Sequence, residues 1–261
     1  MGRLAQTSKF RFQQHKMRGL YEQALRNMEQ TVHELASRVP APKSVPFKES
    51  FVFRYIEKTI HQAIIQKLAR LVSSLRAAEV LMEYGFVQEQ AALQRVLDEL
   101  QEDIVFLSFG AMESTLPEIH KEYLAAFFQE EFDKESAVDS TQKRPMVSRK
   151  RIHAVLSRVP GAPKDQSTTV KVARTVSKAY SGYVHAASPQ IMDMYGGEPP
   201  IFHMRGMLGT ERHDEHRADL WNYFYRGTSA FAFAAQAFGD KALFNKIHLF
   251  VVNFERISGK L

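Results

Sequence analysis

Residues 210–240 read TERHDEHRADLWNYFYRGTSAFAFAAQAFGD, and their spacing fixes the class of fold. Leu220, Phe224 and Phe231 recur at helical intervals on one face, with His213 and Arg217 extending that face into the first two turns and His216 at its edge. Thr210 is a good N-cap, so the spacing predicts a helix from there to about Phe238. Gly239 closes it, and Asp240 caps a last helix reaching Ile257.

Working outward, the same period returns almost everywhere. One helix is expected over about Phe10–Val39, with Met17, Leu20, Ala24, Met28, Val32 and Leu35 on one face, stopping before Pro40-Ala41-Pro42. A second is expected over Glu49–Tyr84, aligning Phe53, Ile56, Ile60, Ile64, Leu71, Leu75 and Met82 before Gly85. A third covers Gln88–Phe109, with Leu93, Val96, Leu100, Ile104 and Leu107 along its stripe. A fourth follows Pro117 to about Phe132, and a short one spans Arg149–Val159. A further helix is expected over Ser167–Ala187, restarting at Ser188-Pro189. Residues 195–210, YGGEPPIFHMRGMLGT, read as a Gly/Pro loop apolar enough to pack across the surface. No alternating strand pattern bounded by a hairpin turn stands out. The expectation is an all-α fold, a bundle of six to eight helices. It forms one continuous domain, or two lobes at 1–140 and 141–261 divided by the polar stretch around residue 140.

Composition bounds the function. Hydrophobic residues at 44% and charged residues at 25% are those of a globular protein. With no cysteine, disulfides, thiolate zinc sites and cysteine nucleophiles are excluded, and a reducing cytoplasm is the expected compartment. The basic start lacks the apolar run of a signal peptide, and no apolar stretch reaches bilayer length, so no membrane partner is expected.

The net charge of +6 conceals three blocks. Residues 1–82 balance at +8, residues 83–140 at −11 and residues 141–178 at +9. The last block draws phosphates, such as those of RNA, or docks on the acidic block of its own chain, of a second copy in a homodimer, or of a protein partner.

Polar groups on apolar faces mark the candidate sites. Glu89 and Asp103 lie close to the stripe of the third helix but about 21 Å apart along it, so they cannot share one site. Glu99 borders the stripe beside Arg95. A helical di-metal centre needs Glu-x-x-His, whereas the chain offers Glu118-Ile119-His120; no metal site and no cofactor are expected. His213, His216 and Arg217 stand at a helix start, where free backbone N–H groups favour an anion, or else pair with Asp214, Glu215 and Asp219. Arg174, Ser177, Ser181 and His185 form a polar stripe with Lys178 along its edge. It presents a cationic, anion-binding surface, a hydrated face, or a face on which another helix packs closely at Ser181 and Gly182, and His185 is a general acid/base candidate if it has a partner. Arg54 and His61, seven positions apart, fall near one azimuth if both are helical.

Tyr180-Ser181-Gly182-Tyr183-Val184-His185, late in an all-helical chain, resembles the terminal motif of HEPN-type domains. That resemblance implies a helical bundle, often dimeric, of a class in which many members cleave RNA without metal. It implies an arginine ahead of the histidine with four to six residues between them; those places hold Lys178, Ala179 and Tyr180. Arg54 and His61 keep the arginine–histidine pairing at the longest of those spacings. The implied function is RNA contact in a toxin or defence component, with histidine taking a proton from the 2′-hydroxyl and arginine holding the phosphate. The combination of RVLDELQEDIVFL (95–107) with YSGYVHAASPQIMDMYGG (180–197) also resembles a group of uncharacterised bacterial all-helical proteins, over about residues 50–200. The alternatives are a non-catalytic helical interaction or scaffold protein, and a phosphate or small-ligand binder at the helix start near Thr210.

Overall fold

A computed structural model describes residues 2–134, 137–143, 145–158, 175 and 180–259, with side chains of the first helix from Lys16 onward. The fold is an all-α bundle. Its helices are α1 (Gly2–Ala36), α2 (Ile60–Glu83), α3 (Val87–Met112), α4 (Glu118–Phe127), α5 (Arg149–Leu156), the short α6 (Ser188–Met192), α7 (Glu211–Ala237) and α8 (Lys241–Ser258). Two small antiparallel hairpins are added: β1 (Lys43–Phe47) with β2 (Ser50–Arg54), and β3 (Tyr195–Gly196) with β4 (Ile201–Phe202).

α3 is the axis of the bundle, packed against α2 on one side and α7 on another, with α5 on a third; α1 and α8 close the outside. One buried cluster runs from Leu25 and Leu68 through Leu97 and Ile104 to Phe224 and Phe254, joining both halves of the chain. Leu20, Ala24, Met28 and Leu35 of α1 are buried in it, as the helical period requires. The caps expected at the C-terminal end are formed. Thr210 accepts from the His213 N–H, Asp240 accepts from the Leu243 N–H, and Gly239 turns at φ 71° between them.

The second helix is the main correction. It begins at Ile60 rather than Glu49, because Thr59 and Gln62 form a reciprocal capping box that fixes its first turn. The residues before it, Ser50-Phe51-Val52-Phe53-Arg54, carry the aromatic and β-branched side chains that favour a strand, and they pair with Lys43–Phe47. Phe53 and Ile56 therefore do not line a helix face; both are exposed.

The 195–210 segment does cross the end of α2, through backbone contact. Met207 N–H donates to Gly85 O at 2.7 Å, and Met207 is buried. Gly206, at φ 102°, admits this approach: a Cβ there would lie 2.3 Å from Tyr84 O. Among the described residues, no helix is long and apolar enough to cross a membrane.

Candidate functional site

Arg54 and His61 are not brought together by one helix. Arg54 lies on β2, where its guanidinium grips Glu130 with both Nε (2.6 Å) and Nη2 (2.9 Å) and also donates to Phe53 O. His61 lies in the first turn of α2, and its Nε2 meets Ala237 O, the last carbonyl region of α7, at 3.1 Å. The expected shared azimuth required a helix that the capping box at Thr59 starts too late to supply.

Around His185 the backbone is helical over residues 180–184 and turns at 185–186, with His185 N–H donating to Ser181 O and Ala186 at φ 48°. His185 is exposed and Ser181 is half-buried. Arg174, Ser177 and Lys178 lie outside the described residues. At Gly182 the chain's own Gln190 approaches closely: a Cβ there would fall 2.4 Å from its side chain. Gln88 in turn holds the Gln190 carbonyl at 2.6 Å, tying this segment to α3.

At the start of α7 the histidines turn inward. His213 is buried and its Nε2 meets Met82 O at 2.8 Å, joining α7 to the end of α2. His216, also buried, sits between Gln90 Oε1 (3.4 Å) and the Tyr183 hydroxyl (3.5 Å). Burial pushes the His216 pKa down, favouring the neutral ring. Tyr183 donates to Asp193 at 2.8 Å, and Asp193 also accepts from Arg212. Arg217 pairs with Asp214, and Arg212 pairs with Glu215. The arginines of this helix start thus pair with carboxylates of their own helix.

The basic block docks on the acidic one, at least through α5. Arg149 reaches Asp103 at 2.6 Å, Arg151 reaches Glu122 at 2.5 Å, and His153 Nε2 meets Glu102 at 2.9 Å. Asp103, 1% exposed, also accepts from Lys67 (2.8 Å) and from the Tyr123 hydroxyl (2.6 Å). Burial alone would raise its pKa, but Lys67 and Arg149 outweigh burial and hold the carboxyl below its usual range. Of the two acids placed near the α3 stripe by its period, Asp103 is buried and paired while Glu89 is exposed. Glu99 pairs with Arg95, as its position suggests.

A second polar row on α3 was not legible in the sequence. Gln90, Gln94, Asp98 and Gln101 are all buried against the α7 side. Arg226 of α7 grips Asp98 Oδ1 at 2.6 Å, and Gln101 donates to Tyr223 O at 2.8 Å. Both polar atoms of the Gln94 side chain, Gln90 Nε2, Asp98 Oδ2 and Gln101 Oε1 have no hydrogen-bond partner among the described residues. Their spacing of i, i+4, i+8 and i+11 places them on one face of α3, the signal by which the row can be found.

His120, considered with Glu118, is also structural. It is buried, stacked on Phe106 at 4.0 Å and bonded to the Phe106 carbonyl. Among the described residues no three His, Asp or Glu groups gather as they would for a metal ion.

What the surface offers instead is aromatic. Phe51 and Phe53 of β2 lie edge to face at 5.5 Å and are 57% and 64% exposed. Tyr195, Ile201, Phe202, Met204 and Leu208 are exposed on and around the second hairpin. No family description, curated protein or solved structure matches the chain.

Proposed function

We propose that the chain is a non-catalytic helical interaction protein, whose exposed hairpins present apolar side chains to a partner. One observation carries this reading: Arg54 and His61 stand on separate elements, each held by a group of the chain's own, Glu130 and the Ala237 carbonyl. The docking of Arg149, Arg151 and His153 on α3 and α4 supports it, since these cations already have carboxylate partners. Absence of cysteine supports a reducing cytoplasm as its place of work.

The test is incubation of the protein with total RNA in excess EDTA, comparing wild type with His185→Ala and His61→Ala. The expected result is no cleavage by any of them.

A second reading rests on His185 alone. It is exposed at the end of the 180–184 turn, as a base reaching a 2′-hydroxyl would have to be. On that reading the chain is a HEPN-like, metal-independent ribonuclease of a toxin or defence system. Cleavage by wild type that disappears in His185→Ala would replace the first reading with the second.

A further inference from the structure

The buried polar row of α3 is answered unevenly by the chain. Gln90, Gln94, Asp98 and Gln101 are each 5% exposed or less. Three of the four are half answered: Gln90 Oε1 lies 3.4 Å from His216 Nδ1, Asp98 Oδ1 accepts from Arg226, and Gln101 donates to the Tyr223 carbonyl. Gln94, in their midst, is not answered at all. Among the described residues neither polar atom of its amide has a hydrogen-bond partner, nor has Asp98 Oδ2 one turn along, and all three are shut off from solvent. Protein interiors pair nearly all such atoms, so a wholly unanswered amide beside a half-answered carboxylate marks a place for something else to bond. Gln94 and Asp98 stand about 6 Å apart along the helix axis, so one small molecule can reach both. Gln90 and Gln101, about 16 Å apart, cannot share it.

The 180–184 turn lies along the same seam. The Tyr183 ring meets His216 edge to face at 5.7 Å, and the Tyr180 ring meets Tyr223 edge to face at 6.4 Å. Both Tyr180 and Tyr183 are half-buried, so the seam approaches solvent on their side.

We infer that the α3–α7 seam at Gln94 and Asp98 binds a small, planar, uncharged molecule presenting N–H donors beside an acceptor, the edge of a primary carboxamide or an amino-bearing nucleobase. The Gln94 amide offers one donor and one acceptor whichever way it is turned, and the same pair on the ligand matches it. A second ligand N–H is then left for Asp98 Oδ2. The tyrosine rings favour a flat partner. An acidic ligand is disfavoured, because Asp98 faces the site and Asp219 stands beside it, 3.4 Å from the Tyr180 hydroxyl. A metal cation is disfavoured too, since the Arg226 guanidinium already holds Asp98. This site goes beyond partner docking at the hairpins and does not rest on it.

The test is titration of the full-length protein with nicotinamide, adenine and cytosine, and with nicotinate as the acidic counterpart, read by calorimetry and by melting. At least one of the three uncharged molecules should bind one to one and raise the melting temperature by about a few degrees when well above its dissociation constant. Nicotinate should do neither. Gln94→Leu removes donor and acceptor at once and should weaken the binding about tenfold or more, in a variant that melts no lower than wild type. Asp98→Asn, which leaves a weaker, uncharged acceptor, should weaken it as well. Binding of nicotinamide alone assigns the carboxamide as the source of this edge, and binding of a base alone assigns the nucleobase. No binding by any of the three overturns the inference. So does binding that ignores Gln94→Leu, which would put the molecule elsewhere, or nicotinate bound as tightly as nicotinamide. None of these readouts involves the hairpins or RNA cleavage, so this inference and the function above fail separately.

Discussion

Two buried carboxylates on α3 face opposite sides of the same helix and live differently. Asp103 is held by three donors, the Lys67 ammonium, the Arg149 guanidinium and the Tyr123 hydroxyl, from three different helices. Asp98 has Arg226 on one oxygen; among the described residues its other oxygen and the buried Gln94 side chain have no hydrogen-bond partner. Burial raises the pKa of both; only at Asp103 do the cations overcome it. The comparison teaches that burying a charge stabilises an assembly only where every lone pair is answered. The α3–α5 side is a tie between elements, while the α3–α7 side holds together by its apolar neighbours and carries its polar row as a cost.

The largest break in that comparison is Asp103→Ala. It leaves Lys67 and Arg149 mutually repelling and partly desolvated, so the expected loss is about 3–5 kcal/mol of unfolding free energy in denaturant titration. A loss under about 1 kcal/mol would mean the tie adds nothing. The opposite sign is expected at Gln94→Leu. Leucine is close in volume and removes two buried polar atoms that have no partner among the described residues, so a gain of up to about 1 kcal/mol is expected in the same titration. Destabilisation there would show that the amide is bonded after all.

These two sides also show how far the sequence could be read. Thr210, Gly239 and Asp240 mark the last two helices because capping is local chemistry, written in adjacent residues. Asp103 was recognisable because it lies close to an apolar stripe. Gln90, Gln94 and Asp98 were not, since α3 is enclosed on several sides and keeps too little solvent face for polarity to report burial. Val96, expected in the core, instead lies on the part of α3 that stays exposed. The β1–β2 hairpin is hidden in the sequence because Phe53, Ile56 and Ile60 keep helical spacing, and only the capping box of Thr59 and Gln62 marks the true helix start. The candidate histidines illustrate a further limit. His61, His213 and His216 each meet at least one group 126 or more positions away, and such partners appear only once the chain is folded.

Acid titration sharpens the comparison further, with a smaller effect and a sign that separates the sites. Asp103, with its folded pKa depressed, contributes stability that is present above the unfolded carboxylate value and is lost as pH falls through the folded one. Asp98 has a raised pKa, chiefly through burial, so its penalty grows as pH rises from the unfolded value through the folded one. The stability of Asp103→Asn relative to wild type should therefore improve in acid, while that of Asp98→Asn should improve toward neutral pH. Glu79, between α1 and α2, repeats the Asp98 case at a pH that is easier to reach. Burial, then Glu22 and Glu83, push its carboxyl up to about 7 despite Arg18 and Arg76. Its penalty develops between the ordinary carboxylate range and about pH 7 and is complete above that. Glu79→Gln should raise the melting temperature by more at pH 8 than at pH 5, by a few degrees at most, because the site is only half-buried and solvent screens it. An equal shift at the two pH values would mean that Glu79 titrates as an ordinary surface acid, leaving Asp98 as the raised carboxylate of the pair.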